Sequence, residues 1–185
     1  MRFSMRRNPN AARPFWPRYS VTRKSLYMTT ILFVCTGNTC RSPMAAAIAR
    51  QYARQHKLPI TPHSAGIHAR EGDAITPESE FALRQIGIAG NHTSRGLSRE
   101  ILESSHVIFV MEAWQAEAIE ASMEGYAFSC PPPVRMLDHT ADIVDPLGRG
   151  QAVYDELVCR FRELIPARLS ELEISAIPEG RPRCP

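Results

Sequence analysis

Three side chains in this sequence have the types and placing needed to break a bond to phosphorus: Cys35, Arg41 and Asp145. Cys35 and Arg41 belong to one short run, Cys-x5-Arg-Ser. A thiol surrounded by inward-pointing N–H groups, a helix dipole and a guanidinium is expected to have a depressed pKa and to exist as thiolate near neutral pH. Arg41 offers a planar fork that matches two phosphoryl oxygens. The chemistry that needs both is thiolate attack on phosphorus with a phosphocysteine intermediate. The leaving group then needs a proton from outside the cradle, and Asp145 can supply it from a loop that Pro146 restricts. Asp142, three residues earlier, is the alternative acid.

Strand, loop and helix must position these groups. Ile31 to Val34 is a short continuous apolar run, the pattern of a strand buried on both faces. Thr36, Gly37, Asn38, Thr39, Cys40, Arg41 and Ser42 form the candidate phosphate-binding loop, where Gly37 and Asn38 tolerate a left-handed backbone. Ser42 as N-cap, Pro43 at the first helical position and the run from Met44 predict a helix to His56. A helix N-terminus behind a tight loop is a ready anion cradle. Further strands are predicted at Pro59–Ala65, His106–Met111 and Val134–Leu137. Thr76 and Ser98 read as N-caps of helices reaching Gln85 and Ser104, Glu112 to Met123 as another helix, and Gln151 to Leu172 as the last. Together they predict one α/β domain: a short parallel sheet of about four strands, flanked by helices on both faces, with the site at the strand carboxyl ends.

Cys35-Thr-Gly-Asn-Thr-Cys-Arg-Ser-Pro-Met resembles the signature loop of the low-molecular-weight protein-tyrosine phosphatase family, and its Thr39 resembles the bacterial protein-arginine phosphatase branch. The resemblance runs from about Thr30 to Leu172. It implies Cys35 as nucleophile, Arg41 as phosphate fork, Asp145 as general acid, phosphorylated proteins as substrates, and no cofactor or metal. It also implies close backbone approach at Gly66 and, for Ser64, either a brace for the loop or a plain strand end. His92 resembles a histidine of the family and reads as structural, not catalytic, a lone loop histidine being ordinarily solvated; Tyr154 reads as packing or rim, not catalysis. His106 stands where the family commonly has Asp, which predicts an altered local hydrogen bond.

Composition sets the bounds. The 185 residues suffice for one domain with a sizeable core. The net charge of +3 is concentrated in residues 1–27, which hold seven basic residues and no acid. The rest has 15 basic against 19 acidic residues, so no nucleic-acid surface is predicted. Residues 1–27 read as a disordered basic extension or an upstream start, with a transit peptide as the other reading, and 176–185 as a disordered tail; residues 28–175 form the domain. No apolar run has the length of a membrane span. Five cysteines with no regular framework, one of them a thiolate nucleophile, predict a reducing, cytoplasmic setting. No spacing offers a zinc site.

Three phosphoryl-type chemistries fit the loop. Thr39 places a hydroxyl at the cradle mouth, suited to a phosphorylated guanidinium. Leu147 follows Asp-Pro where tyrosine phosphatases of the family often carry Tyr, and the loop after Gly66 has no aromatic residue; both disfavour phosphotyrosine, although Ile67 and Leu147 could sandwich its ring. Arsenate reduction needs two further thiols, and Cys130 and Cys159 form no closely spaced pair. Cys40 is either a small packing residue or a resolving thiol that protects oxidised Cys35 as a disulfide.

Overall fold

The computed structural model describes residues 28–126, 128 and 130–172. The expectations for residues 1–27 and 176–185 fall outside them. Four parallel strands form one sheet: β1 (Thr29–Cys35), β2 (Ile60–Gly66), β3 (Val107–Val110) and β4 (Val134–Met136), in the order β2-β1-β3-β4. β1 lies between β2 and β3, with Cys35 opposite Gly66 and Val34 opposite both Ala65 and Val110. The connection after β1 runs to β2 and the connection after β3 runs to β4, in opposite directions along the sheet, and such a switch point between β1 and β3 is where α/β sheets open a crevice.

Alternation along β1 builds two cores. Ile31 and Phe33 face the layer of α1 (Arg41–His56), α2 (Pro77–Gln85) and α5 (Gln151–Ser170), where Met44, Ile48, Leu83, Phe161 and Ile165 are buried. Leu32 and Val34 face α3 (Arg99–Glu103) and α4 (Ala113–Gly125), against Leu102, Ile119 and Met123. A strand buried on both faces reads as an unbroken apolar run because each side chain has a dry layer to enter.

Thr76 caps α2 by accepting from the Ser79 N–H, and Ser98 caps α3 by accepting from Ile101, as predicted. α1 begins two residues earlier than the sequence suggested, with Cys40 at the cap position and no side-chain capping bond. Ser42 is therefore no N-cap, because its hydroxyl is engaged in the phosphate loop. α4 opens with a reciprocal capping box between Glu112 and Gln115. His106 Nδ1 accepts from the Thr30 N–H at 3.0 Å, so a neutral ring nitrogen provides the local acceptor.

Candidate active site

The carboxyl end of β1 delivers Cys35 into the loop, and α1 begins at Arg41. The backbone turns at Asn38, whose φ of 56° is left-handed. That turn points the Asn38 N–H at Cys35 Sγ, 3.3 Å away. The Asn38 side chain is the hub of the loop. Its Nδ2 donates to Ser42 Oγ at 2.8 Å, and its Oδ1 accepts from the Arg95 N–H at 3.0 Å. His92 Nε2 lies 2.8 Å from Asn38 O and 3.1 Å from Asn38 Oδ1. Two acceptors at one nitrogen place the proton there. Burial, followed by the charges of Arg50 and Arg95, pushes the His92 pKa down. His92 is thus structural, a half-buried brace of the loop, where a lone loop histidine would ordinarily be solvated.

Gly66 closes the loop from the side. A Cβ there would meet Thr36 O at 2.6 Å and Asn38 N at 2.9 Å, so the close approach expected of this glycine is real. Ser64 is buried, but its part in the bracing is its carbonyl, which accepts from Arg95 Nε at 2.8 Å.

Ser42 Oγ sits 3.0 Å from Cys35 Sγ and donates to Ala65 O at 3.2 Å. The expected depression of the Cys35 pKa is not what this geometry gives. Burial pushes the thiol up, against the opposing pull of Ser42, Arg41 and the Asn38 N–H. The charge of Arg41 is shared, because its guanidinium already holds two carboxylates: Nη1 bonds Glu112 Oε2 at 2.8 Å, and Nη2 bonds Asp145 Oδ2 at 2.6 Å. Ile143 O and Thr36 Oγ1 take two further bonds from the same fork. Arg41 Nε is buried and has no hydrogen-bond partner among the described residues.

Arg41 and Asp145, far apart in sequence, are therefore joined directly, while Cys35 belongs to a second set of bonds, with Ser42 and Asn38, on the same loop and feels the charge of Arg41. Asp142 does not join them; its Oδ1 accepts from the Ala113 N–H at 2.9 Å and ties the Asp145 loop to the start of α4. Thr39 is half-buried at the α2 side, where its carbonyl accepts from the Thr76 N–H. Leu147 is 64% exposed beside Asp145. Cys40 Sγ is buried among hydroxyls, 3.5 Å from Thr76 Oγ1 and 3.6 Å from Tyr154 OH. Burial, with Cys40 beside it, pushes the Tyr154 hydroxyl up. Tyr154 is core, not rim.

The sequence reading missed Glu112 and Gln115. Gln115 Nε2 donates to Glu112 Oε2 at 2.8 Å and to Thr36 Oγ1 at 3.3 Å, so the capping box of α4 also fixes the anchor of Arg41. The Glu-x-x-Gln spacing was a visible cap signal; its reach across to Arg41 was not. Among the described residues no cluster of His, Cys, Asp or Glu could hold a metal ion.

Comparison with known proteins agrees with this geometry. Residues 30–175 match the family model for low molecular weight phosphotyrosine protein phosphatase. A protein-arginine-phosphatase of Bacillus subtilis (strain 168) is 33% identical over 73% of this chain and 91% of its own length. A low molecular weight protein-tyrosine-phosphatase of Acinetobacter johnsonii is 35% identical over 68% of this chain and 85% of its own. A solved structure of the YwlE arginine phosphatase, a cysteine-to-serine mutant with a phosphorylated active-site serine, superimposes with a TM-score of 0.71 at 31% identity. It covers 78% of this chain and 96% of that one. The chain belongs to the low molecular weight phosphotyrosine protein phosphatase family.

Proposed function

We propose that this chain is a cysteine-dependent protein phosphatase that hydrolyses phosphoarginine. The observation that carries the phosphoryl chemistry is Arg41: among the described residues its Nε is a buried, unpartnered donor, and the adjacent Nη2 is held by Thr36 and the partly exposed carboxylate of Asp145. An unsatisfied buried donor costs free energy, and a phosphoryl group taking Nε and Nη2 together removes that cost. Glu112 keeps Nη1 in place during the exchange. Asp145, displaced from Arg41 by the incoming oxygens, is released toward the leaving group.

Cys35 Sγ then attacks phosphorus as the P–N bond breaks. The thiol passes its proton to the dianionic phosphoryl group on arrival, and that proton moves on to the Asp145 carboxylate as it leaves Arg41, so that Asp145 enters the reaction as an acid. Ser42 turns its hydroxyl proton from Ala65 O to the sulfur, and with the Asn38 N–H it stabilises the thiolate. Asp145 protonates the departing guanidinium nitrogen. It next takes a proton from water as that water attacks phosphorus and the S–P bond breaks, with Ser42 again donating to the thiolate.

Thr39 supports phosphoarginine over phosphotyrosine, placing a hydroxyl at the cradle where it can meet a polar guanidinium. The ring sandwich required by phosphotyrosine loses one jaw, since Ile67 packs against the α4 side of the core. Relatives named for arginine phosphatase activity add to this support. A reducing cytoplasmic setting belongs to the same proposal and suits the free thiols of Cys35 and Cys40. No described helix is long and apolar enough to cross a membrane.

The test is kcat/KM for phosphoarginine and phosphotyrosine in one peptide context, repeated with Thr39→Ile. A phosphoarginine preference that collapses in the variant is expected. Wild-type preference for phosphotyrosine would overturn the arginine assignment while leaving Cys35, Arg41 and Asp145 in their roles.

A further inference from the structure

On the Thr36 side of the loop stands a pair of rings that the proposed reaction does not use. His68 and Trp114 stack with centroids 6.2 Å apart and planes 13° from parallel. Both are exposed, Trp114 by 39%. The elements that hold the site bring them together. The His68 N–H donates to Thr36 O at 2.9 Å. Trp114 lies two residues beyond Glu112, the anchor of Arg41, and follows Ala113, whose N–H is bound by Asp142 on the loop of Asp145. Asp142 is itself exposed.

We infer that the His68–Trp114 pair is a substrate-contact wall that receives the guanidinium of an unmodified arginine two residues from the phosphorylated residue. The inference rests on the phosphatase reading above. Cys35 is buried, so a protein substrate must lay its backbone across the rim to insert its phosphorylated side chain. An extended segment carries side chains on one side at intervals of about 7 Å, which brings the residue two positions from the inserted one to the rim on the same side. A flat indole face is the best aromatic partner for a guanidinium, by stacking and by cation–π attraction. Exposed Asp142 adds a negative charge on the same edge, which favours a cation over a neutral ring. Thr39, tied to α2 through Thr76, belongs to a different flank of the loop, so the two contacts read separate parts of the substrate.

The experiment uses the full chain and peptide pairs, phosphoarginine and phosphotyrosine in turn, that differ only in carrying arginine or glycine two residues from the phosphorylated residue. In the wild type the arginine-flanked peptide should have roughly fivefold higher kcat/KM, carried by KM. That ratio should fall toward one in Trp114→Ala and persist in Trp114→Phe. Because it is a ratio within each variant, a general loss of folded protein cancels. A wild-type ratio of one, or an unchanged ratio in Trp114→Ala, overturns the wall while both peptides are still turned over. An equal gain from a flanking tryptophan overturns the assignment to a cation. Failure to turn over any of the phosphopeptides overturns the phosphatase reading, and the wall with it.

Discussion

Asn38→Ala is the sharpest probe of how the fold builds the cradle, because one side chain sets its turn, its nucleophile contact and its outer brace. Three costs follow from the geometry. Alanine must keep a φ of 56°, which costs about 1 kcal/mol for a residue other than glycine or asparagine. The Arg95 N–H loses its 3.0 Å acceptor in a half-buried position, worth about 1–2 kcal/mol. Loss of the 2.8 Å bond from Nδ2 to Ser42 removes about 1 kcal/mol more. The expected loss is about 3–4 kcal/mol, a large share of the stability of a domain this size. It should lower Tm by roughly 10 °C. Asn38→Gly relieves the backbone cost and should recover about 1 kcal/mol of the difference. Turnover should fall by about tenfold to a hundredfold in both variants, since the N–H aimed at Cys35 Sγ loses its support and displacements well under 1 Å matter in such a site. Thermal unfolding and kcat on an aryl phosphate read the two effects separately. An alanine variant within 1 kcal/mol and threefold of wild type would refute the argument that Asn38 organises the loop.

Three further outcomes are expected. Asp145→Asn should slow turnover strongly for phosphoarginine and alkyl phosphates and little for aryl phosphates with good leaving groups; a uniform loss across leaving groups would remove Asp145 from the role of acid. Cys40→Ser should leave Cys35 more open to irreversible oxidation, so that less activity returns on adding thiol after peroxide than in the wild type; equal recovery in both would end the resolving-thiol reading. Asp138, buried between Thr140 and Arg160, has its pKa pushed well below the ordinary 3.8, first by the Thr140 hydroxyl and then by the Thr140 N–H and Arg160, against burial. A depressed carboxylate contributes stability above its ordinary pKa and loses it as pH falls through that value toward the folded one. Asp138→Asn should therefore cost about 2 kcal/mol near pH 7 and progressively less below pH ~4. A difference that stays constant with pH in thermal unfolding would show that the charge is not the cause.

The sequence by itself determined the parts whose cause is local. Ile31 to Val34 suited a doubly buried strand, since four consecutive large apolar residues can enter dry layers on both faces of a sheet. Thr76 and Ser98 had to start helices, because their hydroxyls satisfy backbone donors a few residues away. Cys35 and Arg41 could be read as a phosphate site because five residues lie between them, so that closeness in sequence keeps them close in space. What the local pattern suggested wrongly was Ser42. Its cap signal was sound as a propensity, but the hydroxyl has a stronger use between Cys35, Asn38 and Ala65, atoms that only folding brings together.

Tertiary structure alone decided the electrostatics. Whether Cys35 is a thiol or a thiolate depends on burial and on how far Glu112 and Asp145 neutralise Arg41, and those carboxylates stand 71 and 104 residues from it along the chain. His92 looked solvated because nothing near it in sequence needs a donor; its partner, Asn38, is 54 residues away. Trp114 and His68 lie on separate elements, and their stack exists because the sheet sets β2 and β3 on either side of β1. Propensity and capping act over a few residues and can be read along the chain. Desolvation and charge pairing depend on distance in space, and the fold sets that distance.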